Sequence, residues 1–507
     1  MSNILESYSA EEIRKVTQSW NSDIWVEKGR ERALKIFHEA AKRVPAYKDF
    51  LQRNDVKVGQ IRTWEDFQTL PIMDKKTYLK QYPMEALGWD GKMDGVSVIT
   101  STSGSTGEPF YFKRTMQLDW QYSVMLREFI DNSSHGNSGP ILVINGFSMG
   151  VWIGGLITYK AFEIAGFEGD YSMSIITPGI NKQQILNTLT KLAPNYAQTI
   201  LIGYPPFVKD IIDEAVSKGI NLEILNLRLL FAAEGFNDQF RDYLSDTAHV
   251  KNKYLDTMNI YGSADLGAMG SETPFTIFLR SLALKNDELF SNLFSATHKT
   301  PTLAQYNPLF INFEAADGEL LLTGDNAIPL IRYAIGDQGG IFSYDDATKA
   351  LDEIGVDAEK KADELGISES IRKLPFVYLF ERSDFVTTLY GLQIYPENIR
   401  EVMMQNEFLD FVTGKFTLET KFDDNHDQYL EVNVELKQDV EKTVELEESL
   451  LKNIMTNLYE RNAEYKELHT YLKDRAVPRL KFWRYEDPAY FKSGVKQKWV
   501  KKQENIK

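Results

Sequence analysis

The sequence predicts an α/β protein with buried, largely parallel sheets, closed by a small α+β domain, and three observations carry that expectation. Ile141-Leu142-Val143-Ile144, Thr199 to Gly203 and Leu227 to Ala232 are apolar runs of strand length, separated by segments long enough for helices. Strand, glycine-bearing loop and helix recur, most plainly where Asn145-Gly146-Phe147-Ser148-Met149-Gly150 leads to Trp152-Ile153-Gly154-Gly155. Beyond Arg382 the pattern changes to short strands and isolated helices.

From Val26 to Phe50 the residues Ala33, Ile36, Phe37, Ala40, Ala41 and Val44 recur at helical spacing, and Pro45 is expected to close that helix. Val96 to Thr100 reads as a strand, and the aromatic run Phe110-Tyr111-Phe112 as its partner across a hairpin-like bend. Between Asp345 and Lys373 charge density rises while Ala347, Leu351, Ile354, Ala358, Ala362 and Leu365 keep roughly helical spacing, which predicts a surface helical insertion over 345–373. Phe385 to Leu389 and Leu392 to Tyr395 then read as strands, Pro396 to Gln405 as a helix, and Tyr429 to Leu436 as a half-buried strand. The expected division is a large domain over 1–382 and a small one over 383–507.

The chain's 507 residues exceed what one hydrophobic core usually holds. No apolar run approaches the roughly 20 residues that span a bilayer, and Met1-Ser2-Asn3-Ile4-Leu5-Glu6 lacks the layout of a signal peptide, so a cytoplasmic protein without a membrane partner is expected. With no cysteine, disulfides, thiolate metal sites and cysteine nucleophiles are excluded, which fits a reducing compartment. Lys plus Arg number 57 against 73 Asp plus Glu, a net charge of −16 that disfavours nucleic acid as a partner. An acidic protein that binds a polyanion does so with local donors, helix ends and Mg²⁺.

Thr102-Ser103-Gly104-Ser105-Thr106-Gly107-Glu108-Pro109 packs hydroxyls and glycines into one loop. Glycine lets backbone N–H groups turn inward, and the hydroxyls add donors whose number suits a polyphosphate, so a nucleotide triphosphate is the expected ligand. The loop is not the P-loop of an NTPase, because Glu108 and Pro109 stand where that pattern needs Lys and Ser or Thr. Turn chemistry alone fits a plain surface bend equally.

Asn259-Ile260-Tyr261-Gly262-Ser263-Ala264-Asp265 sets an amide, an aromatic ring and a carboxylate around a glycine. Tyr261 can stack on a purine, Asn259 can bond its exocyclic amine, and Asp265 can hold Mg²⁺. A strand-end turn with a buried tyrosine fits the same residues. Asp337, after Gly336, is placed either on the vicinal hydroxyls of a ribose or in a turn. Arg382 has the donor fork to reach ribose or phosphate, and Asp384 beside it suits a hinge; a linker ion pair is the plainer account. Near the end, Lys492, Lys496 and Lys498 surround Gly494, as in many solvated basic tails.

Taken in order, the Ser/Thr/Gly loop, Ala233-Glu234-Gly235, Tyr261-Gly262, Arg332-Tyr333 with Asp337, Arg382 with Asp384, and Gly494 with Lys496 resemble the ANL superfamily of adenylate-forming enzymes. Within it the chain is similar to the phenylacetate-CoA ligase family and its CapK-type relatives, whose N-terminal region Val44-Pro45-Ala46-Tyr47 and Leu70-Pro71-Ile72-Met73-Asp74-Lys75 also resemble. The resemblance covers nearly the full length. It implies the ANL fold, with a large adenylation domain and a small mobile domain that carries the catalytic lysine.

The resemblance further implies that ATP and a small carboxylic acid give an acyl-adenylate and pyrophosphate, after which a thiol, commonly that of CoA, displaces AMP. Ser103, Gly104, Ser105, Thr106 and Gly107 would hold the β and γ phosphates. Ala233 and Glu234 would border the adenine, with Asn259 on its amine and Tyr261 and Gly262 on its face, and Asp337 and Arg382 would take the ribose. Phe147, Trp152, Gly154, Gly155 and Gly235 would flank the acid, which favours an aryl or arylalkyl group. Lys496 would be the catalytic lysine, with Lys498 as the substitute, Asp384 the hinge, and Gly391 part of the thiol tunnel. Asp265 would hold Mg²⁺.

The chain departs from the family pattern where Ala264 and Asp265 replace Ser or Thr and Glu, where Glu381 replaces Gly, and where Phe385 replaces a second Asp. The family's metal-binding cysteines are absent. Transfer to a carrier-protein thiol or to an amine, and nucleotide binding without chemistry, are the alternative expectations.

Overall fold

Pro45 begins a helix as well as ending one. Asn21 caps Ser22–Arg43, Val44 turns to an extended conformation at φ −97°, and Pro45 occupies the first position of Pro45–Arg53. Proline disfavours helical backbone at the residue before it, and its missing N–H costs nothing at a helix start, so one residue serves both purposes. The computed structural model describes residues 8–92, 95, 97–101, 110–136, 139–150, 153–294, 301–380, 387–394, 396–403, 405–423, 425–491 and 499–501.

β1 (Val98–Ser101) and β2 (Tyr111–Arg114) pair antiparallel on either side of the Ser/Thr/Gly segment. The segment itself, residues 102–109, lies outside the described residues. The central sheet is assembled from β3 (Ile141–Asn145), β4 (Met173–Ile176), β5 (Gln198–Gly203), β6 (Leu227–Ala232), β7 (Thr257–Ser263) and β8 (Gly267–Ser271). It continues through β9 (Thr302–Gln305), β10 (Ile311–Ala316), β11 (Glu319–Gly324), β12 (Leu330–Phe342) and β13 (Phe376–Phe380). Its order is β10-β11-β12-β13-β9-β8-β7-β6-β5-β3-β4.

The expectation of largely parallel sheets holds for one half only. β4, β3, β5, β6 and β7 are mutually parallel, whereas each pairing from β7 out to β10 is antiparallel. The reason lies in the connections. Helices Ile153–Gly169, Lys182–Lys191, Pro205–Ser217 and Asp238–Thr247 return the chain to the starting edge between successive parallel strands. Three residues join β7 to β8, which permits only a reversal.

The expected insertion is two helices, Tyr344–Glu353 and Ala358–Leu365, each with a side-chain N-cap and separated by a turn through Gly355. Ala347, Leu351 and Ala362 join a core cluster with Phe275, Phe278 and Tyr378, so the unit is packed rather than purely superficial. After the described residues resume, β14 (Thr387–Leu389) and β15 (Leu392–Ile394) form a hairpin. β16 (Val412–Phe422), β17 (Gln428–Leu436) and β18 (Arg479–Trp483) form a three-stranded sheet flanked by helices Pro396–Met403, Val444–Arg461 and Ala463–Leu472. One apolar cluster runs from Leu229 and Tyr204 of the large sheet's layer into Leu389, Tyr390 and Ile399 of this unit. No helix among the described residues is long and apolar enough to cross a membrane.

Buried charges tie the layers together. Arg228 and Asp256 are both fully buried, 3.1 Å apart, and Arg228 also donates to the carbonyls of Phe129 and Leu255. Removing one member of such a pair leaves an uncompensated ion and costs about 3–5 kcal/mol. Asp256→Ala is expected to lower the unfolding free energy by that amount in urea titrations; a loss below about 1 kcal/mol would contradict the assignment.

Candidate active site

The end of β6 turns through Ala233, whose φ of +76° is unusual for a residue with a Cβ. Such backbone strain is held where surrounding structure over-determines it, which draws attention to Ala233-Glu234-Gly235. Asn259, on the adjacent β7, donates its side-chain amide to the Glu234 carbonyl at 3.0 Å. The Asn259 backbone N–H donates to the Glu272 carboxylate at 3.0 Å, and that carboxylate is itself clasped by Arg241. The side-chain oxygen of Asn259 is buried and accepts no hydrogen bond from the described residues.

Two residues along β7, the Tyr261 hydroxyl donates to Asp337 of β12 at 2.7 Å. Tyr261 is nearly buried, its ring 6.1 Å from that of Phe313. Gly262 follows at the hairpin's closest approach, where a Cβ would lie 2.7 Å from the Gly267 carbonyl oxygen. Asp337 lies inside the long β12 strand, not at a strand end, and is half-buried. Glu234, Asn259, Tyr261 and Asp337 are thus brought together where the sheet changes from parallel to antiparallel pairing, next to the carboxyl end of β6.

Asp265 stands apart from that group. Its side chain is 1% exposed; one oxygen accepts from the Tyr333 hydroxyl at 2.6 Å and the other lies 3.3 Å from the Lys75 ammonium. Lys75 arrives there because Met73 pairs with Tyr333, extending the segment Leu70-Pro71-Ile72-Met73-Asp74-Lys75 along β12. The ammonium also sits 5.9 Å from the Phe112 ring in β2, at the base of the hairpin that bears residues 102–109. A Mg²⁺ ion needs several oxygen ligands. Among the described residues no group of three acidic or histidine side chains is placed to bind a metal, and Lys75 already balances Asp265. These residues do not build a metal site by themselves.

The glycine at Gly391 has φ +80°, and a Cβ there would lie 2.2 Å from the Tyr204 ring. Its N–H donates to the Glu234 carboxylate, which also lies 3.5 Å from the Gln428 side-chain amide. Tyr204 packs edge-on against Phe147 at 5.1 Å. Phe147 is 1% exposed and therefore part of the core, while Gly154 lies against its side chain and the Gly155 carbonyl accepts from Asn145 at 2.9 Å. Gly235 is half-buried in the turn that follows Glu234. Trp152, Arg382, Asp384, Lys496 and Lys498, like Ser103, Gly104, Ser105, Thr106 and Gly107, lie outside the described residues.

Four residues of this region, Lys75, Tyr204, Tyr333 and Gln428, were not marked as site residues by sequence reasoning. Tyr204 ends a strand and Lys75 ends a motif already noted, and those positions were the available signals. Burial raises the Tyr204 hydroxyl above its ordinary value, and the nearby carboxylates of Glu464 and Glu467 raise it further. Burial pushes Glu464 up to about 8, reinforced by Glu467 one turn along the same helix.

Two outcomes follow. Gly391→Ala overpacks the Tyr204 contact at a cost of about 1–3 kcal/mol, so amide hydrogen exchange over 387–394 should rise by about tenfold or more; unchanged exchange would contradict the contact. Glu464 is protonated in folded and unfolded chains below its ordinary 4.5 and ionised in both above about 8. Between these limits the folded chain keeps a proton that the unfolded chain releases, so stability falls as pH rises. Glu464→Gln should match the parent near pH 4 and exceed it in stability at pH 8 and above; a constant difference across that window would refute the assignment.

No family profile and no curated protein sequence matches the chain. Among solved structures, 2-hydroxyisobutyryl-CoA ligase in complex with 2-HIB-AMP and CoA, in its thioesterification state, matches with a TM-score of 0.62 at 16% identity, over 96% of this chain and 92% of that one. The amide bond synthetase McbA from Marinactinospora thermotolerans matches with a TM-score of 0.44 at 12% identity, over 76% and 65%. An o-succinylbenzoate CoA synthetase from Bacillus subtilis gives 0.44 at 12%, over 78% and 66%. From the first of these, the chain has the mixed α/β fold of the adenylate-forming enzymes, a large helix-flanked sheet followed by a smaller β-containing unit.

Proposed function

We propose that this protein activates a small carboxylic acid with ATP, releasing pyrophosphate, and then passes the acyl group to CoA. The observation that carries the reading is the group Glu234, Asn259, Tyr261 and Asp337 brought together where β7 changes from parallel to antiparallel pairing, with Gly391 of the small unit bonded to the same Glu234. Asn259 keeps a buried acceptor oxygen that no described residue donates to, which suits the exocyclic amine of adenine. The likeness to a CoA ligase held with an acyl-adenylate and CoA supports the same assignment.

In the first step a carboxylate oxygen attacks the α-phosphorus, the bond to the bridging oxygen breaks, and pyrophosphate departs. Two anions meet, so preorganised positive charge is needed there. Lys496 takes that role, Arg382 joins Asp337 on the ribose, and residues 103–107 hold the outgoing phosphates, which ATP brings with their Mg²⁺. In the second step the sulfur attacks the acyl carbon, the carbon–oxygen bond to phosphate breaks with its electrons leaving on AMP, and the thiol proton passes to solvent. Rotation about Asp384 withdraws Lys496 and presents Gly391 to the acceptor.

The acid is aryl or arylalkyl, as in phenylacetate-CoA ligases, on the strength of the resemblance and of the Phe147–Tyr204 ring pair packed against Gly391. An amine acceptor is the second reading. Glu467 near Tyr204 favours it, since a carboxylate there attracts an ammonium and repels the phosphates of CoA.

Pyrophosphate release is to be measured with a panel of aryl, arylalkyl and aliphatic acids, alone and with CoA or simple amines. Acid-dependent release, multiplied by CoA, is expected; no release with any acid would defeat the enzyme reading, and stimulation by amines alone would transfer the assignment to the second reading. Lys496→Ala should slow adenylate formation by about 10²–10³ while harming transfer from preformed adenylate less; equal losses would count against its role.

A further inference from the structure

The seam between the two units carries a chain of alternating charges that the adenylation chemistry does not use. Helix Pro205–Ser217 supplies Lys209, Asp210 and Asp213; the turn before β17 supplies Asp427, and the short turn Lys473–Ala476 supplies Arg475. Asp213 lies 2.5 Å from Lys209, Lys209 lies 3.2 Å from Asp427, Asp427 lies 2.8 Å from Arg475, and Arg475 lies 2.8 Å from Asp210. The chain therefore crosses the seam twice. Lys209 and Asp210 are buried to 2% and 1% side-chain exposure, and among the described residues the second oxygen of Asp210 has no hydrogen-bond donor. Tyr243 donates to Asp213 at 2.6 Å and stands 6.0 Å from the His426 ring.

This chain is joined to the acceptor side of the site through neighbouring residues. Gln428 follows Asp427 directly, accepts from the Tyr390 N–H, and reaches the Glu234 carboxylate that Gly391 also contacts. The Arg475 guanidinium lies 5.9 Å from the centre of the Tyr390 ring. Buried ions tolerate few alternative geometries, because each needs its partner in place. If the small unit turned away, Asp427 and Arg475 would leave and water would have to solvate Lys209 and Asp210.

We infer that Arg475 and Asp210 are positioning residues that hold the small unit in the arrangement in which Gly391 meets Glu234, and so favour acyl transfer over adenylate formation. The inference rests on the two-step reading proposed above. An interaction made in only one of two arrangements shifts the population toward it by its differential free energy and changes nothing else. Arg475 suits the task because one end of its guanidinium stands 2.8 Å from both Asp210 and Asp427, so a single cation bridges carboxylates of the two units.

The test separates the half-reactions and adds a readout independent of activity. In Arg475→Gln and Asp210→Asn, acyl transfer from preformed adenylate should fall by about tenfold or more, while acid-dependent ATP–pyrophosphate exchange stays within about twofold. Arg475→Lys should recover part of the transfer rate. Because the chain has no cysteine, spin labels at Lys218→Cys and Glu448→Cys, both exposed positions, report the separation of the units cleanly. The parent should give one dominant distance and Arg475→Gln a second population. An unchanged distance distribution in Arg475→Gln and Asp210→Asn, or equal losses in both half-reactions, would overturn the inference. Absence of acid-dependent exchange in the parent would defeat the proposed function, and the spin-label distances would still decide whether the ion chain holds the seam.

Discussion

The double pairing of β7 is the constraint on which the rest depends. Through Leu229↔Thr257 to Ala232↔Ile260 it is parallel to β6, and through Ile260↔Ser271 to Ser263↔Gly267 it is antiparallel to β8. A strand paired in both senses sits where helical crossovers stop and hairpins begin, so residues from both halves of the sheet meet along it. Asn259 and Tyr261 lie on this strand, two residues apart, so their side chains share one face of the sheet. Glu234 comes from the neighbouring parallel strand's end and Asp337 from the antiparallel half. The group belongs to neither half alone.

Charge is handled in the same way throughout. Around the site several interior acids of this net −16 chain each face a cation: Asp256 faces Arg228, Glu272 Arg241, Asp265 Lys75 and Asp210 Arg475. Each pair joins segments distant in sequence, and the Arg228–Asp256 and Arg241–Glu272 pairs, buried on both sides, are little screened by salt. Lys75 is the most consequential of these for chemistry, since it places positive charge at the foot of the β1–β2 hairpin in a protein that is otherwise acidic.

Much of this was legible in the sequence, for physical reasons that differ between elements. The runs at 141–144, 199–203 and 227–232 read as strands because full burial demands unbroken apolar residues, and their limits hold within a residue or so. Strand direction was not legible past β7, since an apolar run carries no record of which way its neighbour points. Pro45 was read as a stop only, although proline is equally a first helical residue. The insertion was read as helical but not as broken, since Gly355 breaks a periodicity that resumes almost in phase. Asn259, Tyr261 and Asp337 were singled out as candidates by residue type and order, and the structure brings Asn259 to Glu234 and Tyr261 to Asp337. Lys75 with Asp265, and Tyr204 with Gly391, were not, because those contacts depend on pairing and domain packing that no local pattern encodes.

The central claim is that adenine and ribose are received where β7 changes partners. A crystal structure with a non-hydrolysable acyl-adenylate analogue tests it most directly. The account predicts the adenine amine at the open oxygen of Asn259, the base beside Tyr261, and the ribose hydroxyls at Asp337. An analogue bound elsewhere, with the Asn259 oxygen still without a donor, would contradict it.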